Sequence, residues 1–127
     1  MIQIRHNTFE TNSSSTHSLV MCTKQEYLDF KHNKKWYIDR CSVKNKFVTW
    51  DELLVTIPRY HLMDGDAFEE IQRLKIQDEE NLEEYLQDYS IYSYGTYNDN
   101  DYEEFEDEYT TPGGETIVAF GHYGYDG

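Results

Sequence analysis

The sequence predicts an α+β fold in which strands from both ends of the chain form one small mixed sheet, with three to four short helices between them. Three observations support this prediction. Runs of β-prone residues lie near both ends, helix-capping signals lie in the middle, and a Pro-Gly-Gly turn joins two strand candidates near the C-terminus. The length of 127 residues is that of one domain, so a single domain over residues 1–127 is predicted.

The N-terminal part predicts two strands followed by a helix. Residues 2–4 alternate between apolar and polar, and residues 17–22 end in an apolar run, as strands do. Thr23 and Glu26 have the spacing of a capping box, in which each side chain accepts a hydrogen bond from the backbone N–H of the other residue. The helix that this box opens is predicted to extend to about Asn33.

Two further strand candidates and a second capping box follow. Residues 36–38 and 46–48 are rich in aromatic and β-branched side chains, which are typical of strands. Thr49 and Glu52 form the second capping box. Pro58 is predicted to end the helix that starts there, because proline lacks the N–H that the helix interior needs.

Two more helices are predicted from aspartate caps and apolar spacing. Asp66 is the expected N-cap of the first, and Asp78 is the expected N-cap of the second. Apolar residues then recur at helical spacing, so each helix is expected to bury one face. These residues are Phe68, Ile71 and Leu74 in the first helix, and Leu82, Tyr85 and Leu86 in the second.

The C-terminal part predicts an antiparallel hairpin or meander. Residues 90–97 are β-prone, and residues 102–111 form an acidic strand candidate. The turn at 112–114 leads to an apolar strand over residues 116–120. Together with the N-terminal strands, these segments are expected to form the sheet.

Charge is distributed very unevenly along the chain. Asp and Glu number 25 and Lys and Arg number 11, which gives a formal net charge of −14. No Lys or Arg follows Lys75, whereas 15 carboxylates do. A chain of this kind lacks the basic face that nucleic-acid backbones and anionic membranes require, so direct binding to either is not expected. The sequence also has no 18-residue apolar stretch and no signal-peptide pattern at its start.

The carboxylates of the C-terminal half predict a surface that binds a basic protein. They alternate with tyrosines, which supply contact area at protein interfaces, while carboxylates pair with lysine and arginine. The alternative is an acidic, solvated face that only keeps the protein soluble. The predicted partner-binding residues are Glu79, Glu80, Glu83, Glu84, Asp99, Asp101, Glu103, Glu104, Glu106, Asp107 and Glu108.

A polar segment near the N-terminus has an unusual sequence, rich in serine and threonine. Residues 9–18 read Phe-Glu-Thr-Asn-Ser-Ser-Ser-Thr-His-Ser. They resemble the opening of a group of small proteins from phages and prophages of Gram-positive bacteria, in which a similar stretch lies between a short strand and an apolar strand. Residues 121–124, Gly-His-Tyr-Gly, resemble a glycine-aromatic motif later in that group. The resemblance implies phage origin and a location in the cytoplasm of the infected or lysogenic host.

The resemblance and the charge together predict an inhibitor of host defence and not an enzyme. Small acidic phage proteins include anti-CRISPR and anti-restriction inhibitors. The expected partner is therefore a host defence nuclease, above all the RNA-guided nuclease of a type II CRISPR system, which holds its heteroduplex in a positively charged channel. Carboxylates in that channel would hinder nucleic-acid loading. The alternative within the same class of inhibitors is an anti-restriction protein that mimics DNA.

A second hypothesis assigns chemistry to the polar segment itself. One of Ser13, Ser14 and Ser15 could act as a nucleophile with His17 as its base, assisted by Glu10, on a nucleotide or phosphoester. The competing interpretation is that these side chains close a turn through hydrogen bonds to the backbone. No phosphate-binding loop or nucleophile-elbow motif accompanies the serines.

Two cysteines and two histidines form a candidate zinc site. Thiolate and imidazole are the ligands that structural zinc prefers, and metal binding would add to the stability of a small acidic domain. The predicted ligands are Cys22, Cys41, His17 and His6, with the two histidines facing each other across a strand pair. An alternative site uses His122 with carboxylates. The remaining interpretation is that the cysteines are ordinary buried residues and the histidines are scattered over the surface.

Overall fold

The computed structural model of the chain describes residues 2–3, 16–100 and 102–123. These residues divide into two compact units. Unit 1 is built from both ends of the chain, residues 1–28 and 100–127, and unit 2 from residues 29–99. The predicted α+β class is confirmed, and the prediction of a single domain stays a prediction. Among the described residues, no helix has both the length and the apolar character to cross a membrane.

Unit 1 contains a four-stranded sheet made from the two ends of the chain. Its strands are β1 (Ile2–Gln3), β2 (Thr16–Thr23), β6 (Glu103–Thr110) and β7 (Thr116–Tyr123), in the order β1-β6-β7-β2. The β6–β7 hairpin and the β2–β7 pair are antiparallel, and β1 pairs with β6 in parallel. The predicted C-terminal hairpin and the joining of both termini in one sheet are thus confirmed.

The order of these strands corrects one expectation. A pairing between the two N-terminal strands would bring His6 opposite His17, but in the described residues β1 lies beside β6 and β2 lies beside β7. A sheet pairs strands by packing and not by sequence order, so the hairpin formed by β6 and β7 separates the two N-terminal strands.

The close approach of β2 to β7 explains why position 121 is a glycine. Gly121 lies opposite Leu19 in the β2–β7 pair. A Cβ atom added at Gly121 would lie 2.1 Å from the carbonyl oxygen of Ser18 and 3.2 Å from Cα of Leu19. Backbone atoms cannot move away as a flexible side chain can, so this position requires a residue without Cβ.

A helix covers one face of this sheet. Helix α1 (Lys24–Lys31) begins with the predicted capping box, in which the Glu26 N–H donates to Thr23 Oγ1 at 3.1 Å and the Thr23 N–H donates to Glu26 Oε1 at 3.0 Å. Tyr27 is buried, with its ring centroid 4.9 Å from that of Phe120. Its hydroxyl donates a hydrogen bond to Glu106 on β6. The predicted helix is confirmed, although it ends at Lys31.

Unit 2 contains a second sheet and four helices. The strands β3 (Trp36–Ile38), β4 (Phe47–Val48) and β5 (Ile91–Tyr92) form a three-stranded antiparallel sheet in the order β4-β3-β5. The helices are α2 (Trp50–Tyr60), α3 (Gly65–Gln77), α4 (Glu79–Gln87) and α5 (Tyr94–Tyr97). The sheet predicted from both ends of the chain is present, but it is not the only sheet of the described residues. Residues 91–92, expected in the C-terminal meander, pair instead with β3 in unit 2. The described residues hold five helices, one more than the three to four expected.

The core of unit 2 is apolar and continuous. The stripes predicted for α3 and α4 lie in it: Ile71, Leu82 and Leu86 are each at most 1% exposed. Phe30, at the end of α1, packs edge-on against four aromatic rings of this unit. The core cluster consists of Ile38, Val43, Val48, Leu53, Ile57, Leu62, Ile71, Leu74, Leu82, Leu86 and Ile91.

Helix α2 continues past the proline that was predicted to end it. Both bonds of the predicted capping box between Thr49 and Glu52 are present, but Pro58 lies inside the last turn. Proline there removes only its own N–H bond, and the turn is still closed because the Leu62 N–H donates to the Ile57 carbonyl at 3.0 Å. The helix ends at His61, which has a left-handed φ of 53°.

Two other helix starts differ from their predictions. Asp64 and not Asp66 caps α3, since its side chain accepts from the Ala67 N–H at 2.8 Å. The β-prone stretch 90–97 forms only the two-residue strand β5, because Ser93 caps α5 through a third capping box. The predicted cap of α4 is confirmed: Asp78 accepts from the Asn81 N–H at 3.2 Å.

Candidate functional site

The carboxylates of α4 lie on the surface of unit 2. The helix buries Leu82 and Leu86, which lie four residues apart on one face. The acidic side chains therefore fall on the remaining faces: Glu79, Glu80 and Glu84 are exposed, and Glu83 is half-buried. The negative charge of Glu79 and Glu80 in the first turn is favourable next to the helix N-terminus.

This surface makes a single ion pair within the described residues. Lys75 Nζ lies 3.0 Å from Glu79 Oε1 in an exposed ion pair. Within the described part of the chain, Glu80, Glu83 and Glu84 have no ion-pair partner. Glu79 with Glu83, and Glu80 with Glu84, are like-charge pairs at i,i+4 spacing, each destabilising by about 0.2–0.5 kcal/mol on an isolated helix. We refer to Glu79, Glu80, Glu83 and Glu84 as the α4 acidic surface.

A cavity of about 230 Å³ opens beside the α4 acidic surface, within unit 2. Glu79 and Glu83 line it together with Trp36 and Trp50, the two tryptophans of the chain, and with three lysines, Lys34, Lys35 and Lys75. The tryptophan rings lie 6.5 Å apart between centroids, and Lys75 Nζ lies 5.6 Å from the centroid of Trp50. Tryptophan is one of the residue types that most often dominate the binding energy of protein interfaces.

The predicted acidic residues of β6 have a different environment, in unit 1. Asp107 is only 6% exposed and lies inside the unit instead of on its surface. Glu106 accepts the hydrogen bond from Tyr27, and Glu108 Oε1 lies 2.6 Å from Lys24 Nζ on α1. These three side chains therefore serve packing and pairing within unit 1, a role that the sequence did not reveal.

The remaining predicted partner-binding residues lie at three other places. Glu103 is exposed at the start of β6, and Glu104 is half-buried next to it. Asp99 is exposed at the end of unit 2. Asp101 lies outside the described residues. The predicted carboxylates are thus divided between the two units, and the α4 acidic surface is their most exposed and least paired group.

The structure separates the environments of the two cysteines. Cys22 is buried in unit 1, and this burial, together with the nearby charge of Glu26, raises the pKa of its thiol to about 12. Cys41 is exposed in unit 2. His6 and the side chain of His17 lie outside the described residues, and no three His, Cys, Asp or Glu side chains converge as a metal site within the described part. The predicted zinc site stays a prediction.

Thiol chemistry distinguishes these environments. In the folded protein with a chelator present, we expect Cys41 to react with a disulfide reagent at pH 8 at least about 100-fold faster than Cys22, because a thiol with so high a pKa is almost entirely protonated. The rate is measured from the thiol that the reagent releases. It should show one fast-reacting cysteine in the folded protein and two in denaturant. Equal rates in the folded state would contradict the buried environment. If zinc is bound by both cysteines, neither reacts until the chelator is added, and elemental analysis finds about one zinc per chain.

A polar row crosses the sheet of unit 1 near the end of β7. Ser18 on β2 and Glu104 on β6 both lie directly opposite His122 on β7. Ser18 Oγ lies 3.1 Å from His122 Nδ1, a hydrogen-bond distance, and His122 is only 2% exposed. In the sequence, His122 was a candidate only as an alternative metal ligand, and Ser18 was not a candidate. The signal that they share is their position in residues 9–18 and 121–124, the two segments singled out in the sequence.

The serines proposed for chemistry, Ser13 to Ser15, lie outside the described residues together with Glu10. The backbone of His17 lies in β2, where the pairing with β7 shifts register between Thr16 and Ser18. The hypothesis that assigns a nucleophile and a base to this segment therefore stays a prediction.

Comparison of the chain with protein-family models, with curated proteins and with solved structures finds no match.

Proposed function

We propose that this protein is a phage-encoded inhibitor that binds a basic, nucleic-acid-handling protein of the host through the α4 acidic surface. The observation that carries the proposal is that α4 presents four carboxylates on the faces that do not bury its leucines. In the described structure, a single lysine forms an ion pair with one of them, Glu79. Carboxylates held on a rigid helix can pair with the lysine and arginine side chains that otherwise bind phosphate.

The structure supports α4 over β6 as the contact surface. On β6, the carboxylates of Glu106 and Glu108 already have partners on α1, and Asp107 is buried. On α4, the like-charge pairs cost folding free energy, and in the described structure only Glu79 has an ion-pair partner that offsets part of it. A basic partner would relieve this repulsion, so binding energy is available at α4.

The tryptophan cavity adds an anchor to the charge. A partner arginine that reached the cavity would meet the carboxylates of Glu79 and Glu83 and the rings of Trp36 and Trp50, and it would compete there with the lysines that line the cavity. Arginine binds both groups well, by charge-assisted hydrogen bonds and by stacking on aromatic rings. The α4 acidic surface and the cavity together form one continuous candidate interface within unit 2.

The proposed target is the RNA-guided nuclease of a type II CRISPR system. Such a nuclease holds its heteroduplex in a positively charged channel, which is the complement of the α4 acidic surface. The resemblance of residues 9–18 and 121–124 to proteins of phages supports a target in host defence. Occlusion of the channel needs no catalysis, so the proposed action is that of a binding protein.

Nucleic-acid loading tests this proposal. We expect an excess of the inhibitor to reduce target-DNA binding by a purified, guide-loaded type II nuclease from a Gram-positive bacterium, because both compete for the same basic groups. The measurement is fluorescence anisotropy of labelled DNA, with DNA and inhibitor alone as the control for direct binding. Unchanged DNA binding with this nuclease would exclude it as the target, and the same assay with a restriction enzyme tests the anti-restriction alternative.

A further inference from the structure

The two segments that carry the resemblance to phage proteins meet at one hydrogen bond. Ser18 is the last residue of the N-terminal segment, and His122 belongs to the distal Gly-His-Tyr-Gly segment. They are 104 residues apart in sequence, and the β2–β7 pair places them directly opposite each other. The contact between Ser18 Oγ and His122 Nδ1 is 3.1 Å, the distance expected for a nucleophile and its base.

Glu104 extends this contact into a row of three. Residues directly opposite each other in antiparallel strands lie on the same sheet face, with Cβ atoms about 4.5–5.5 Å apart. Glu104 is opposite His122 on β6, as Ser18 is on β2. Of the six rows that the registers define from Ser18 to Thr23, this is the only one with a polar residue on all three strands; the next row on the same face is Val20, Phe120 and Glu106.

The fold does not need this polarity. The neighbouring rows are stabilised by apolar contacts such as that of Tyr27 with Phe120. Burying a histidine costs free energy that an apolar side chain of similar size would not cost. His122 is nevertheless 2% exposed, while Ser18 and Glu104 are half-buried and so keep part of their surface in contact with solvent.

We propose that Ser18 is a nucleophile, His122 its general base and Glu104 a positioning residue, in the hydrolysis of a carboxylic ester. The carboxylates of Glu104 and Glu106, which lie on this face of β6, disfavour a phosphate substrate, so the acyl ester is neutral or cationic. The charge of Glu104 favours the imidazolium that forms on His122. This activity would lie in unit 1 and does not rest on the proposed binding through α4.

The reaction has two steps. Ser18 Oγ forms a bond to the acyl carbon while its proton passes to His122 Nδ1, and His122 returns this proton to the alkoxide as the ester C–O bond breaks. Water then attacks the acyl-serine and gives a proton to His122, which returns it to Ser18 Oγ as the acid leaves. The sum is ester plus water giving acid plus alcohol.

A fluorophosphonate probe tests the nucleophile without knowledge of the substrate. The probe forms an Oγ–P bond and releases fluoride, and it reacts only with activated serines. We expect intact-mass analysis of the folded protein to show one adduct and peptide mapping to place it on Ser18. Ser18→Ala should abolish the adduct, and His122→Gln should slow labelling at least about 100-fold. Ser93→Ala, a control at a buried serine of unit 2, should leave labelling unchanged.

Further variants test the roles in the row. Glu104→Gln should slow labelling, and Glu104→Asp should restore most of the rate, which a purely structural role would not require. If the His122→Gln protein does not fold, wild-type protein labelled in urea replaces it as the comparison. Labelling that depends on the row of three residues is lost when the protein unfolds. No adduct on folded wild type, an adduct on Ser13, Ser14 or Ser15 in place of Ser18, or equal labelling with and without His122 would overturn the proposal.

Discussion

Replacing Gly121 by alanine is expected to destabilise the protein by about 2 kcal/mol or more, the largest effect of a single methyl group in the described sheet. The added Cβ would lie 2.1 Å from the carbonyl oxygen of Ser18, well inside van der Waals contact. Relief requires β2 and β7 to separate, which weakens their ladder of hydrogen bonds. Thermal unfolding would then show a melting temperature lower by roughly 6–12 °C.

A matched glycine controls for the substitution itself. Gly113 lies in the β6–β7 turn, and a Cβ there would meet nothing closer than Thr111 Oγ1 at 3.8 Å, an ordinary contact. Gly113→Ala should therefore change the free energy of unfolding by at most about 0.5 kcal/mol. Equal stability of the Gly121→Ala protein and wild type would mean that β2 does not lie this close to β7.

Reversing charge on α4 is expected to weaken binding to the proposed nuclease by roughly tenfold or more. Glu80→Lys with Glu84→Lys changes two exposed carboxylates that have no ion-pair partner in the described structure, and it leaves Glu79 with Lys75. Tenfold corresponds to about 1.4 kcal/mol, a modest share of the attraction between several opposite charges at a partly desolvated interface. The fold should be retained, because neither side chain is part of the core.

The control carries the same change in net charge at other positions. Asp39→Lys with Glu115→Lys also replaces two exposed carboxylates, neither of which lies on α4. Long-range attraction to a basic protein would fall similarly in both variants, but contact-dependent affinity would fall only in the α4 variant. Circular dichroism of both proteins would confirm that they are folded.

Local signals were sufficient to predict most helix starts. The capping boxes at Thr23 and Thr49 and the cap at Asp78 depend on residues within three positions of one another, so sequence alone identifies them. The cap of α3 was misplaced because Asp64 and Asp66 are chemically equivalent candidates. Ser93 was overlooked because the β-prone residues around it masked a capping box with Thr96.

Long-range pairing explains what the sequence did not predict. A separate sheet in unit 2 forms because β3 finds β5, more than 50 residues later in the chain. The partners of Glu106 and Glu108 come from α1, which lies far earlier in sequence. In contrast, the exposure of the α4 carboxylates follows from the leucine spacing within nine residues, which is why that part of the candidate site was predictable.

Binding of the guide-loaded nuclease at two salt concentrations is the most direct test of the central claim. Wild type, the Glu80/Glu84 variant and the Asp39/Glu115 control would be compared by surface plasmon resonance at about 50 and 300 mM salt, over which screening of exposed charges increases strongly. We expect wild-type and control affinities to fall with salt, and the α4 variant to bind at least about tenfold more weakly than wild type at low salt. Affinity that neither salt nor the α4 reversals change would contradict binding through the α4 acidic surface.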